Sequence, residues 1–270
     1  MKKRILFFFF LFLISTGTSH FYASAQVVLN RSKVKVRISP GKTISGSITV
    51  TNNSKVALPL KAYFEDFLYV PPYDGTKKFL PVGSTEHSCG EWINFSPQEF
   101  IIPAFSKREI NYVIKVPHDI SGGYYGVLFF QKAPELSPEV PGLEIIVRVG
   151  CLFFLEAESR TKEASLKDVF AESGCLKLYF ANQGSTILVA SSVFYIMDAE
   201  GMVIDRGEAG NFYLPPKEKA LFSIPVSKNL SPGKYILVLT FDLGERDILV
   251  KEIDFSKDSR GNISILEVRD

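Results

Sequence analysis

The feature that most constrains this chain is a side-chain alternation of period two that recurs along most of its length. Val34, Val36 and Ile38 alternate with Lys33, Lys35 and Arg37, and after Pro40-Gly41 the segment Ile44-Ser45-Gly46-Ser47-Ile48-Thr49-Val50 carries a similar pattern. Successive side chains of a strand point to opposite faces, so such a pattern describes strands with one buried face. These two segments read as a strand pair, closed by Asn52-Asn53-Ser54, whose short polar side chains favour a turn. Further strands are expected at 58–64, 110–116, 176–180, 193–197, 221–226 and 235–241, with turns at Pro71-Pro72-Tyr73-Asp74-Gly75, Ser121-Gly122-Gly123, Asn182-Gln183-Gly184 and Ser231-Pro232-Gly233. No amphipathic helix interrupts them, which indicates an all-β fold of immunoglobulin-like β-sandwiches.

A chain of 270 residues holds two such domains of roughly 100–130 residues each. A Pro-rich joint at 134–141 precedes the apolar run 143–155, which reads as one strand finishing the first domain and continuing towards the second. The expected organisation is a first domain over 26–156, a second in tandem over 157–257, and a polar tail over 258–270 with only a weak last strand at Ile263 and Ile265.

Residues 1–25 have the pattern of a signal peptide: Lys2-Lys3-Arg4, an apolar run over 5–14, and Ala23-Ser24-Ala25 as a small-x-small cleavage site before Gln26. That run falls short of the about 20 residues a membrane-spanning helix needs. The mature protein is therefore expected outside the cytoplasm, periplasmic or secreted to the cell surface, without stable membrane insertion. The formal charge is +2, and removing the three leader cations leaves −1. A nucleic-acid binder needs a clustered basic face, so that class is disfavoured. Export places Cys89, Cys151 and Cys175 in an oxidising space, where an odd number leaves at least one without a partner in the chain. Cys151 and Cys175 are the candidates for a bridge, and spacing leaves the bridged and free forms equally open.

Catalytic chemistry has little to work with, since His87 and His118 are the only imidazoles after the leader. In Glu86-His87-Ser88-Cys89 the neighbours on an extended segment point to opposite faces, so the cluster reads as a polar loop before Trp92. No paired Cys or His spacing, calcium loop or phosphate-cradling glycine motif is present, and no metal or cofactor is expected. A non-enzymatic binding protein is the expectation. The remaining handle is backbone: Leu143, Ile145, Val147 and Val149 describe either an edge strand to which a partner's extended segment can add, or a covered strand filling the core.

The chain resembles the periplasmic pilus-assembly chaperones, the PapD-like proteins, through Val27-Val28-Leu29-Asn30-Arg31-Ser32-Lys33-Val34, Ile48-Thr49-Val50-Thr51-Asn52, Phe95-Ser96-Pro97 with the strand to Val116-Pro117, and the run 143–155. The resemblance implies two immunoglobulin-like domains and a partner that is a secreted or surface protein subunit. It also implies a lending strand, here at Leu143, Ile145 and Val147, and a cleft whose two basic residues anchor the partner's C-terminal carboxylate. Lys33 matches the first basic position. The second falls near Gly150-Cys151, which lacks Lys and Arg; Arg148, three residues from Cys151, belongs to the opposite face of the strand. A second similarity, through Pro117-His118-Asp119-Ile120-Ser121-Gly122-Gly123-Tyr124-Tyr125-Gly126, is to cell-surface proteins that bind WxL-type proteins and peptidoglycan. It implies the alternative of a structural or adhesion module of the cell surface.

Overall fold

The computed structural model describes residues 26–133, 146–245 and 247–269. The strands up to Ala157 form two sheets and those from Ala164 onward form two more. In the first sandwich β1 (Val27–Leu29), β3 (Thr43–Asn52), β8 (Lys107–Lys115) and β6 (Ile93–Ser96) make one sheet, in the order β1-β3-β8-β6. The other runs β2 (Lys33–Ile38), β10 (Arg148–Ala157), β9 (Gly123–Lys132), β4 (Leu58–Tyr69), β5 (Lys77–Leu80), with β7 (Glu99–Ile102) also on β4. In the second sandwich β11 (Ala164–Glu172), β12 (Cys175–Asn182) and β15 (Lys219–Pro225) face a five-stranded sheet. That sheet is ordered β14 (Val203–Leu214), β13 (Leu188–Met197), β16 (Gly233–Asp242), β17 (Ile248–Lys257), β18 (Ile263–Arg269).

Two expectations need correction, and the question of a Cys151–Cys175 bridge, left open by spacing, is answered. β2 and β3 are not partners, because the Pro40-Gly41 turn carries the chain from one sheet to the other; β2 pairs in parallel with β10, while β3 lies between β1 and β8. Residues 258–270 are not merely a tail, since β18 pairs antiparallel with β17 from Lys257↔Ile263 to Glu252↔Arg269. Cys151 and Cys175 form no bridge: Cys151 lies in the first core, Cys175 on the second sandwich, and all three thiols are free.

The polar residues expected at the strand ends do more than turn the chain. Asn52 is buried and donates from Nδ2 to the carbonyls of Val56 (2.7 Å), Ile102 (3.0 Å) and Pro103 (3.0 Å). Asn182 repeats the device in the second domain, with bonds to Thr186 O (2.8 Å) and Leu214 O (2.9 Å). Buried amides of this kind satisfy carbonyls that the ladder leaves open.

The central strands of the first domain are apolar on both faces. Leu128, Phe130, Cys151, Phe153 and Leu155 point into the first core. Phe67, Tyr69, Tyr125, Val127, Phe129 and Phe154 belong instead to a cluster continuous with Leu178, Phe180, Leu188 and Phe222 of the second domain. The two sandwiches therefore share apolar burial, which is the main driving force of packing.

Candidate partner-binding site

β10 pairs with β9 along Arg148–Glu156, but β2 joins its other side only from Leu152↔Lys33 onward. Among the described residues no strand pairs with Arg148, Val149, Gly150 or Cys151 on that second side. The result is a stretch of open sheet edge, the kind of backbone to which another chain adds. Just upstream, Val147 is 64% exposed and lies outside the strand proper. Leu143 and Ile145 lie outside the described residues.

Where β2 begins, Lys33 projects on the same face as Leu152 and Phe154, its Nζ 5.1 Å from the Phe154 ring centroid. It lines a cavity of about 420 Å³ together with Tyr69, Lys77, Leu152 and Tyr213. Tyr213 comes from the second domain and stacks on Tyr69 at 4.9 Å, so the cavity lies between the domains. Lys77 is a second cation here, one that no local sequence pattern singles out. It is brought here by the β4–β5 turn, donates to Gly75 O at 2.9 Å, and lies 4.8 Å from the Tyr69 ring. Burial, and then the charge of Lys33, pull the Lys77 ammonium below the ordinary lysine range. Two cations, Lys33 and Lys77, thus border this cavity together with one carboxylate, Asp74. The only sequence trace of Lys77 is a Lys-Lys pair just past the Pro71-Pro72-Tyr73-Asp74-Gly75 turn.

Arg148 does lie opposite Cys151, on the face of Leu152 and Phe154, yet its charge is already taken. Its Nη1 donates to both oxygens of Glu65 (2.9 and 3.1 Å), and the guanidinium packs 4.0 Å from the Phe129 ring centroid.

The geometry of the cleft depends on how the second domain docks. Gly123 N donates to Ser185 O at 2.9 Å, and a Cβ at Gly122 would come within 2.3 Å of that oxygen, so the Gly-Gly pair is a close interdomain approach. Tyr125 reaches across: its hydroxyl accepts from Ile187 N (2.7 Å) and bonds Thr186 Oγ1 (2.8 Å). On the Lys77 side Tyr73 has a φ of 67°, accepts from Tyr213 N at 2.8 Å and donates to Glu218 at 3.0 Å. A third tie is Glu245, on the β16–β17 loop, which meets Arg160 (2.7 Å), Lys162 (3.4 Å), Arg37 (3.4 Å) and Lys35 (3.8 Å). Arg160 foremost holds this carboxyl below the usual range.

The loop singled out for its nucleophiles has a structural task. His87 Nδ1 lies 2.9 Å from Gly123 O, and Ser88 Oγ donates to Asp66 at 2.7 Å. Cys89 is fully buried, and burial raises its thiol far above the ordinary range. Cys151 is pushed up to about 11, also by burial. In the native protein Cys175 is expected to react with a thiol reagent at neutral pH, while Cys89 and Cys151 react only on unfolding. Counting labelled thiols with and without denaturant checks this, and a disulfide within one chain of the non-reduced protein contradicts it. Among the described residues no three His, Cys, Asp or Glu side chains are grouped to hold a metal, and no helix is long and apolar enough to cross a membrane.

No family model matches the sequence, and no curated protein does. Solved structures do. The class 5 fimbriae chaperone CfaA is similar at a TM-score of 0.50 and 15% identity, over 83% of this chain and 97% of that one. The fold is that of a fimbrial chaperone. A chain of the chaperone-tip adhesin complex of CFA/I fimbriae biogenesis has the same fold, at a TM-score of 0.50 and 13% identity over 84% of this chain and 97% of that one. The likeness extends over both β-sandwiches, since each match covers more than four fifths of this chain.

Proposed function

We propose that this protein is an exported, non-enzymatic chaperone of the fimbrial type, which holds an extended segment of a secreted or surface protein subunit by β-strand addition. The observation that carries the reading is the open edge of β10 ending at a two-lysine cleft. A client strand lying ahead of β2, in line with it and parallel to β10, would end where β2 starts, at Lys33. Its C-terminal carboxylate would then meet Lys33 and Lys77. Leu143, Ile145 and Val147 would supply alternate side chains to the client's groove, as strand addition requires. Residues 1–25 would direct export and be removed before Gln26.

The first test is purification of the tagged protein from the extracytoplasmic fraction of its source, with N-terminal sequencing and identification of bound chains. A stoichiometric complex with one small secreted protein, and a chain starting at Gln26, are expected. Recovery with envelope polymer and no protein partner would instead support a surface module and overturn the reading.

A further inference from the structure

One end of the first sandwich carries an apolar patch that the strand-capture site does not use. Among the described residues six large apolar side chains are at least 60% exposed, and three of them meet here: Val56 (61%), Ile101 (60%) and Phe105 (69%). Their segments are joined at Asn52, whose Nδ2 binds the carbonyls of Val56, Ile102 and Pro103, and by Phe105 N donating to Ser54 O at 3.2 Å. Phe105 has a φ of 52°, in the left-handed region that bulky residues seldom adopt. A fold that keeps a strained backbone there, with a ring in solvent, invites a search for what the ring meets.

Within the segments that carry the patch the charge has one sign. Residues 52–58 and 100–108 contain Lys55, Lys107 and Arg108, all exposed, and no Asp or Glu. The flanking acids are engaged elsewhere, Glu99 with Lys61 (3.6 Å) and Glu109 with Ser47. The chain also enters the domain at this end, since Asn53 N donates to Gln26 O at 2.8 Å.

We propose that this end of the first domain docks on an anionic lipid surface, with Val56, Ile101 and Phe105 in the headgroup and acyl boundary and Lys55, Lys107 and Arg108 on lipid phosphates. Apolar tips within a basic collar suit that interface, because burial of the tips and attraction to anionic headgroups act together. The contact is peripheral, and the interdomain cleft, at the Tyr69 end of β4, lies away from it.

The test is co-sedimentation of the chain from Gln26 onward with protein-free vesicles of phosphatidylglycerol or of phosphatidylcholine. Binding to phosphatidylglycerol vesicles is expected, weakened by salt. Phe105→Asn with Val56→Ser should lower it about tenfold or more, and Lys55→Glu with Lys107→Glu should remove the preference for the anionic lipid. Asn tolerates the left-handed backbone, so Phe105→Asn keeps the fold, and thermal unfolding verifies that. No partition of the unsubstituted chain into phosphatidylglycerol vesicles overturns the proposal, as does unaltered binding by the folded Phe105 and Val56 variant. Patch-dependent binding only to vesicles that carry envelope proteins also overturns it, and identifies a protein as the occupant.

Discussion

Replacement of Lys33 and Lys77 together by methionine is expected to weaken capture of a client segment by roughly 100-fold, from about 3 kcal/mol of lost charge-assisted bonding. Each ammonium already lies over a ring, Lys33 over Phe154 and Lys77 over Tyr69, and methionine is an unbranched apolar side chain that can cover the ring while removing the charge. Binding of a synthetic client peptide, measured by titration, provides the check. A peptide with an amidated C-terminus should bind the unsubstituted protein as weakly as the free-acid peptide binds the double variant. Equal affinity of both peptides for the unsubstituted protein would dismiss the carboxylate anchor. Polar replacement of Leu143, Ile145 and Val147 should abolish capture of a whole subunit, because the strand then has no apolar side chains to place in the groove. Unchanged capture by a folded variant would remove strand addition from the account.

The second large effect concerns the joint between the domains. Tyr125→Phe should lower stability by about 2–3 kcal/mol, because the buried Ile187 N–H and the Thr186 hydroxyl both lose this partner. For a chain of this size that corresponds to a fall in Tm of roughly 4–12 °C. The Ile187 amide should also exchange faster with solvent. Tyr195→Phe, at a side chain 38% exposed, is the control and should leave Tm unchanged. Burial foremost pushes the Tyr125 phenol up from 10.0 to about 12. The folded state thus holds this proton at pH values where the unfolded chain has released it. The associated stability is complete below pH 10 and is lost as the pH rises through about 12, and this part of the alkaline limb should vanish in the Phe variant.

The expected strands were legible wherever one face alone is buried: β2, β8 and β12 show the alternation directly in Val34 to Ile38, Ile110 to Val116 and Leu176 to Phe180. The aromatic run Tyr124 to Phe130 and the apolar run through Leu155 blur that signal for a physical reason. β9 and β10 bury one face in the first core and the other against the second domain, so both sets of side chains are apolar. Pairing was less legible. Pro40-Gly41 has the chemistry of a turn, but whether a turn returns the chain along the same sheet or crosses to the facing one depends on packing beyond it. β18 was underestimated for a related reason: its exposed Leu266 and Val268 and the pairing of Arg269 with Asp254 gain meaning only beside β17.

The candidate site divides in the same way. Lys33 and the run leading into β10 could be picked out along the chain, because each is a local pattern. Lys77 could not, because its partner is 44 positions away in sequence and the two meet only through the β4–β5 turn and the docked second domain. The sequence by itself determined the class of fold and the two-domain layout, since alternation and turn chemistry are short-range properties of neighbouring residues. Only the tertiary structure decided where the sheet edge stays open, which thiols are buried, and which cations share a cavity, since each of these is set by segments distant in sequence whose packing brings them side by side.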